Sequence, residues 1–203
     1  MSKDPFIFNM VCFTTNSDRF RPSSIINKYL TNSEYNNNIK LSKNKSLNFY
    51  YKLENKQYKH NKILIYINEI LNLEEEKNDI CNLCDSYLII IDLENDNTYE
   101  QLDIIFNFMR NICDLDKCIF IMGVYVDSKN TKKELDEDNI KEYLDGQKLI
   151  YEYIESNVDS IRDLVMTIDF IIKESIKKLE KKIIEMELQE QAENQCKSKC
   201  TIY

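Results

Sequence analysis

A chain of 203 residues is long enough for one domain plus a tail, and 43% hydrophobic against 31% charged residues fits a folded globular protein rather than a disordered one. A net charge of −8 with no dense Lys/Arg run argues against nucleic acid as a partner. No stretch is long and apolar enough to span a bilayer and the polar N-terminus has no secretory character, so an unprocessed intracellular protein with reduced cysteines is expected.

In chain order, Phe6–Phe13 reads as a first buried strand. Pro22 suits the first position of a helix that continues over Ser23–Leu30. The Asn-, Ser- and Lys-rich segment Thr31–Lys45 reads as a loop. Leu47–Leu53 and Lys62–Ile67 read as an antiparallel pair joined around Glu54–Asn61, and Asn68–Asp79 as an acidic, polar stretch. Tyr87–Asp92 and Cys118–Val124 are short continuous apolar runs, as strands covered on both faces require. Between them Leu102, Ile105, Phe106 and Met109 recur at helical spacing, with Thr98 as the expected N-cap. Strand, helix and strand with short links predict a crossover between parallel strands. Leu135–Leu144 follows as a helix and Lys148–Ile154 as a final strand. A last helix begins near Asp159, with Ile161, Leu164, Val165, Ile168, Ile172, Ile176, Leu179 and Ile183 on one stripe. That stripe weakens after Met186. The expectation is an α/β, three-layer fold with about six mostly parallel strands and a long C-terminal helix. Residues 1–175 form the domain and residues 176–203 a helical extension with a cysteine-containing tail. Any ligand is expected at the carboxyl ends of the strands.

The glycine count is the most restrictive number. A loop that cradles phosphate needs glycine where backbone approaches the anion or takes positive φ. The chain has only two, Gly123 within a strand and Gly146 after Asp145.

This order of elements, and the stretches Lys62–Tyr66, Tyr87–Asp92, Thr98–Leu102, Ile119–Asp127 and Asn157-Val158 in particular, resembles the Ras-like small-GTPase fold with a P-loop-type layout closest to the Rab family. The resemblance spans Phe6 to about Ser175. It implies a nucleotide site, but the motifs that would form one are degenerate. The family's phosphate loop, Gly-x-x-x-x-Gly-Lys-Ser/Thr, aligns with Asn16, Arg21, Pro22 and Ser23, so only the hydroxyl of Ser23 survives. An early helical residue needs no further role to explain that serine. The Asp-x-x-Gly motif falls on Ile67-Asn68-Glu69-Ile70, with neither defining residue. The base-reading Asn-Lys-x-Asp falls on Val124-Tyr125-Val126-Asp127, where Asp127 alone is kept, and such an Asp also serves simply to cap a turn. The Ser-Ala-Lys position near Ile154-Glu155-Ser156 is lost as well. The resemblance is to a pseudo-GTPase. No catalytic residue and no cofactor are expected, and GTP with Mg²⁺ would bind only if the degenerate site still works.

Two other groups of residues carry chemistry. Cys81-x-x-Cys84 and Cys113-x4-Cys118 precede neighbouring strands, so four thiolates at one end of the sheet offer a structural zinc site; buried cysteine is also an ordinary small hydrophobe. A redox Cys-x-x-Cys lacks a thioredoxin-like context, and His60, the only histidine, reads as a surface residue. The end of the chain, Cys200-Thr201-Ile202-Tyr203, is similar to a prenylation box, with Cys196 as a palmitoylation candidate and a terminal Tyr outside the usual set. One lipid alone holds a membrane only marginally. Two readings follow: a Rab-like scaffold in trafficking or signalling that binds proteins at the cytosolic face of a membrane, or a structural subunit of a multiprotein complex, as in the kinetochore pseudo-GTPases of the centromere protein M type, with a nuclear location. An active GTP-binding switch would need chemistry that no residue here supplies.

Overall fold

The computed structural model describes residues 6–16, 18–32, 40–41, 46–52, 62–70, 73, 78–126 and 135–200. The strands are β1 (Phe6–Thr14), β2 (Lys40–Leu41), β3 (Ser46–Lys52), β4 (Lys62–Glu69), β5 (Ser86–Asp92), β6 (Cys118–Tyr125) and β7 (Tyr151–Asn157). The helices are α1 (Pro22–Asn32), α2 (Asn78–Leu83), α3 (Thr98–Ile112), α4 (Glu137–Gly146) and α5 (Ile161–Cys200). All seven strands join one sheet in the order β2-β3-β4-β1-β5-β6-β7. Five of them, β4-β1-β5-β6-β7, are parallel throughout. The strands β2 and β3 extend that sheet as antiparallel neighbours of β4.

Both faces of the sheet are covered. All seven residues of β5 are buried, which accounts for its unbroken apolar run. Alternate residues of β1, β5 and β6 serve opposite layers. Phe8, Met10, Leu88, Ile90, Phe120 and Met122 pack with α1 and α5 on one face. Val11, Phe13, Ile89, Ile91, Ile119 and Ile121 pack with α2, α3 and α4 on the other. The single glycine of the core has a steric reason: a Cβ on Gly123 would sit 2.6 Å from the Tyr153 hydroxyl and 3.0 Å from Leu93. Among the described residues, no helix is long and apolar enough to cross a membrane.

Several expectations shift. The described residues form seven strands rather than about six, because Lys40–Leu41 pairs with β3 inside the segment expected as loop. The final strand starts at Tyr151, not Lys148. After α4 the chain makes a turn in which Lys148 takes φ 57°, and Ile150 is 87% exposed, so pairing begins only with Tyr151 opposite Ile119. Thr98 does not cap α3. It is the first helical residue, and its buried hydroxyl donates to the Asp92 carbonyl at 2.6 Å. The helix α4 begins two residues after the expected start, capped by Asp136, whose carboxylate accepts from the Asn139 amide at 2.9 Å. The strand β4 runs through Glu69, so the polar stretch expected from Asn68 loses its first two residues to the sheet. On α5, Leu164, Ile168, Ile172 and Ile176 are buried as the stripe requires, but Ile161 at the first turn is exposed. His60, Asp127, Thr201–Tyr203, the link Glu54–Asn61 and most of Thr31–Lys45 lie outside the described residues.

Ile168 is 2% exposed against the β-sheet. Ile168→Asp places an unpaired charge there and is expected to cost roughly 3–5 kcal/mol in denaturant unfolding. Gly123→Ala, by crowding Leu93 and Tyr153, is expected to cost about 1–3 kcal/mol by the same measurement.

Candidate functional site

In an open parallel sheet a ligand crevice forms where consecutive connections leave in opposite directions. That place is the carboxyl end of β1, which lies between β4 and β5. The site is built from the turn after β1, the first turn of α1, and the ends of β4 and β5.

The first turn of α1 presents the amides that an anion would use. Pro22 has none to give. The amides of Ser24 and Ile25 both bond the Arg21 carbonyl, at 3.0 and 3.1 Å. The remaining amide, on Ser23, donates to Glu69 Oε1 at 3.2 Å, and the Ser23 hydroxyl donates to the same oxygen at 3.1 Å. Arg21 Nε donates to both carboxylate oxygens at 3.2 Å. The Glu69 side chain is only 3% exposed, while Arg21 is 45% exposed and closes the seat from outside. Glu69 is carried there by the last pair of the β1–β4 ladder, opposite Cys12, and by the Ile70 amide bonding the Cys12 carbonyl at 2.9 Å. An internal carboxylate thus caps a helix N-terminus, where partial positive charge favours an anion.

A second network fills the space toward β5. Asp92, 1% exposed, receives Asn16 Nδ2 at 3.0 Å, and its amide donates to Thr15 Oγ1 at 3.0 Å. Arg19 reaches Glu94 at 2.5 Å and Asp92 at 3.6 Å. Glu94 in turn accepts the Val126 amide at 3.2 Å, tying the end of β6 to the same cluster. The loop after β1 closes on itself, with Phe20 N bonding the Asn16 carbonyl at 2.9 Å and Thr14 Oγ1 donating to the Phe20 carbonyl at 3.0 Å. Asn16 and Arg21, two of the positions aligned with the phosphate loop, are therefore engaged with protein carboxylates.

Of the expected site residues, Ser23 stands at this seat, and Asp127 lies outside the described residues. The side chains of Cys196 and Cys200, on the last turns of α5, lie outside those described. The four-cysteine zinc arrangement is not assembled. Cys81, Cys84 and Cys113 pack with the α2–α3–α4 layer, whereas Cys118 packs against the α1–α5 layer; Cys84 and Cys118 both reach a cavity of about 200 Å³ beneath Lys178 and Met186. Burial pushes the Cys84 thiol up to about 11, away from the thiolate a metal needs. Among the described residues, no group of three or more His, Cys, Asp or Glu side chains could hold a metal ion. The residue that sequence reasoning missed is Glu69. Its spacing within an acidic stretch gave no sign of burial, and only the length of β4 brings it in.

No protein-family model and no curated protein matches this chain.

If Arg21 and Ser23 hold Glu69 together, Arg21→Ala should lower stability by about 1–2 kcal/mol, a value reduced by the solvent exposure of the guanidinium. Glu69→Gln combined with Arg21→Ala should lose less than the two single changes added, because the buried charge is then gone. A double-mutant cycle in urea measures the coupling.

Proposed function

We propose that this chain is a catalytically inactive homologue of Ras-like small GTPases that works as a protein-binding scaffold. The observation that carries this reading is the Glu69 carboxylate, which occupies the helix N-terminus at the sheet's ligand crevice and takes the Ser23 amide and hydroxyl that a phosphate would need. The five-stranded parallel sheet with an antiparallel extension, α1 directly after β1 and a long last helix supports the Ras-like layout. Nucleotide binding in that family draws on oriented amides, a lysine and magnesium together. Here Pro22 stands at the lysine position, and the helix terminus faces a fixed negative charge that repels a triphosphate. Arg19 and Arg21 do not offset this, because each is paired with a carboxylate.

Binding to protein is supported by the outer face of α5, where Met166 is 61% and Phe170 43% exposed one turn apart. The same residues favour the second reading, a structural subunit of a stable complex, in which that face is covered permanently. Purification of the complex with wild-type protein and with Met166→Lys/Phe170→Lys separates the two: a scaffold keeps its other partners, whereas a subunit leaves the assembly.

The test of the inactive reading is thermal unfolding with millimolar GTP, GDP or ATP, each with and without magnesium. Binding to the native state raises the melting temperature by mass action, and no shift is expected. A shift with GTP and magnesium that Asp127→Ala abolishes would overturn the proposal.

A further inference from the structure

At the end of the sheet opposite the Glu69 seat, three cysteines and a tyrosine converge between α2, α3 and β5. Cys113 stands just past the last turn of α3 with an extended backbone, its amide bonding the Met109 carbonyl at 2.8 Å. It is partly exposed, whereas Cys81 is fully buried and Cys84 is 3% exposed. The Cys113 thiol shares a hydrogen bond with Cys81, and the Tyr87 hydroxyl lies against it as well. The Cys84 thiol donates to the Cys81 carbonyl at 3.1 Å, an oxygen that also accepts the Tyr87 hydroxyl at 3.0 Å, and it too lies against Tyr87. Lys117 is held beside the cluster by its bond to the Asn82 carbonyl at 2.7 Å.

We propose that Cys113 and Cys81 are a peroxide-sensitive thiol pair, with Cys113 the attacking sulfur, Cys81 the resolving one, and a disulfide joining α2 to the end of α3 as the product. The division of roles follows from position. Of the three, Cys113 alone is partly open to solvent, and its sulfur meets the Cys81 thiol. The hydrogen bond from Cys81, with Tyr87 and Lys117 acting in the same direction, holds the Cys113 thiol below its ordinary value despite partial burial, and so raises its thiolate fraction. Cys84 is pushed the other way by burial and stays a thiol.

The chemistry balances with a hydroperoxide as the sole oxidant. The Cys113 thiolate attacks one peroxide oxygen, the O–O bond breaks, and the sulfur becomes a sulfenic acid as hydroxide leaves and takes up a proton. The Cys81 sulfur, giving its proton to the departing oxygen, then attacks the Cys113 sulfur and displaces water. Two thiols are oxidised and one hydrogen peroxide is reduced to two waters. This pair is independent of the nucleotide-site reading, because it shares no residue with that site.

The experiment exposes the full-length protein to stoichiometric hydrogen peroxide, alkylates the remaining thiols, and maps all seven cysteines by peptide mass spectrometry. A Cys81–Cys113 linked peptide, removed by dithiothreitol and absent from Cys113→Ser, is expected. In Cys81→Ser a dimedone adduct should accumulate on Cys113. If that buried change prevents folding, Cys113→Ser, at a partly exposed helix end, still decides the matter, because Cys81 should then resist oxidation. Recovery of Cys81 and Cys113 as alkylated thiols while other cysteines are consumed would overturn the proposal. So would a linkage from Cys113 to Cys84, or oxidation of Cys81 at an unchanged rate in Cys113→Ser.

Discussion

A parallel sheet cannot leave a face to water without exposing the apolar side chains that stabilise it, and the architecture of this protein follows from that requirement. β1, β5 and β6 carry apolar residues to both sides, so each connection must return as a covering layer. The chain meets this by sending α1 and α5 to one face and α2, α3 and α4 to the other. Because α1 must start where β1 ends, its N-terminus is delivered to the carboxyl edge of the sheet with its amides facing outward. The same geometry that closes the core therefore creates a place for negative charge.

What fills that place is the chain itself. A buried carboxylate is costly unless hydrogen bonds and opposite charge compensate it, and Glu69 receives both from the first turn of α1 and from Arg21. The carboxylates of Asp92 and Glu94 are treated alike by Asn16, Arg19 and the Glu94 and Val126 amides. Three carboxylates and two guanidiniums thus satisfy one another at an edge where such sheets usually receive a ligand. The loop before α1 needs no glycine for this, because side chains rather than bare backbone make the contacts. With only two glycines in the chain, this arrangement is the one its composition permits.

The opposite end of the sheet shows how little spacing alone says about chemistry. The spacing sets four cysteines at the starts of β5 and β6, as a metal site would require, yet Cys118 begins β6 on the α5 side while Cys113 precedes it on the α3 side. A strand separates the two layers, so neighbours in sequence face different cores. The three that remain together include one partly exposed thiol against a buried one, an arrangement suited to exchange between sulfurs rather than to metal ligation.

Hydropathy alone determined the α/β class, five of the strands to within about two residues at either end, and the buried stripe of α5, because burial on two faces or one leaves a period that survives in the sequence. The near-absence of glycine is likewise read straight from the composition: neither Gly123 nor Gly146 lies near the loop before α1. The start of β7 was not legible, because Lys148–Ile150 alternates like a strand and only the turn at Lys148 removes it from pairing. Nor was the role of Glu69, a carboxylate in an acidic run that sequence reasoning assigns to water. Tertiary structure decided it: β4 runs two pairs past its last apolar residue, and that extension sets a charge beside a helix terminus 46 residues away in the chain, where the Ser23 amide and hydroxyl and an arginine make burial favourable.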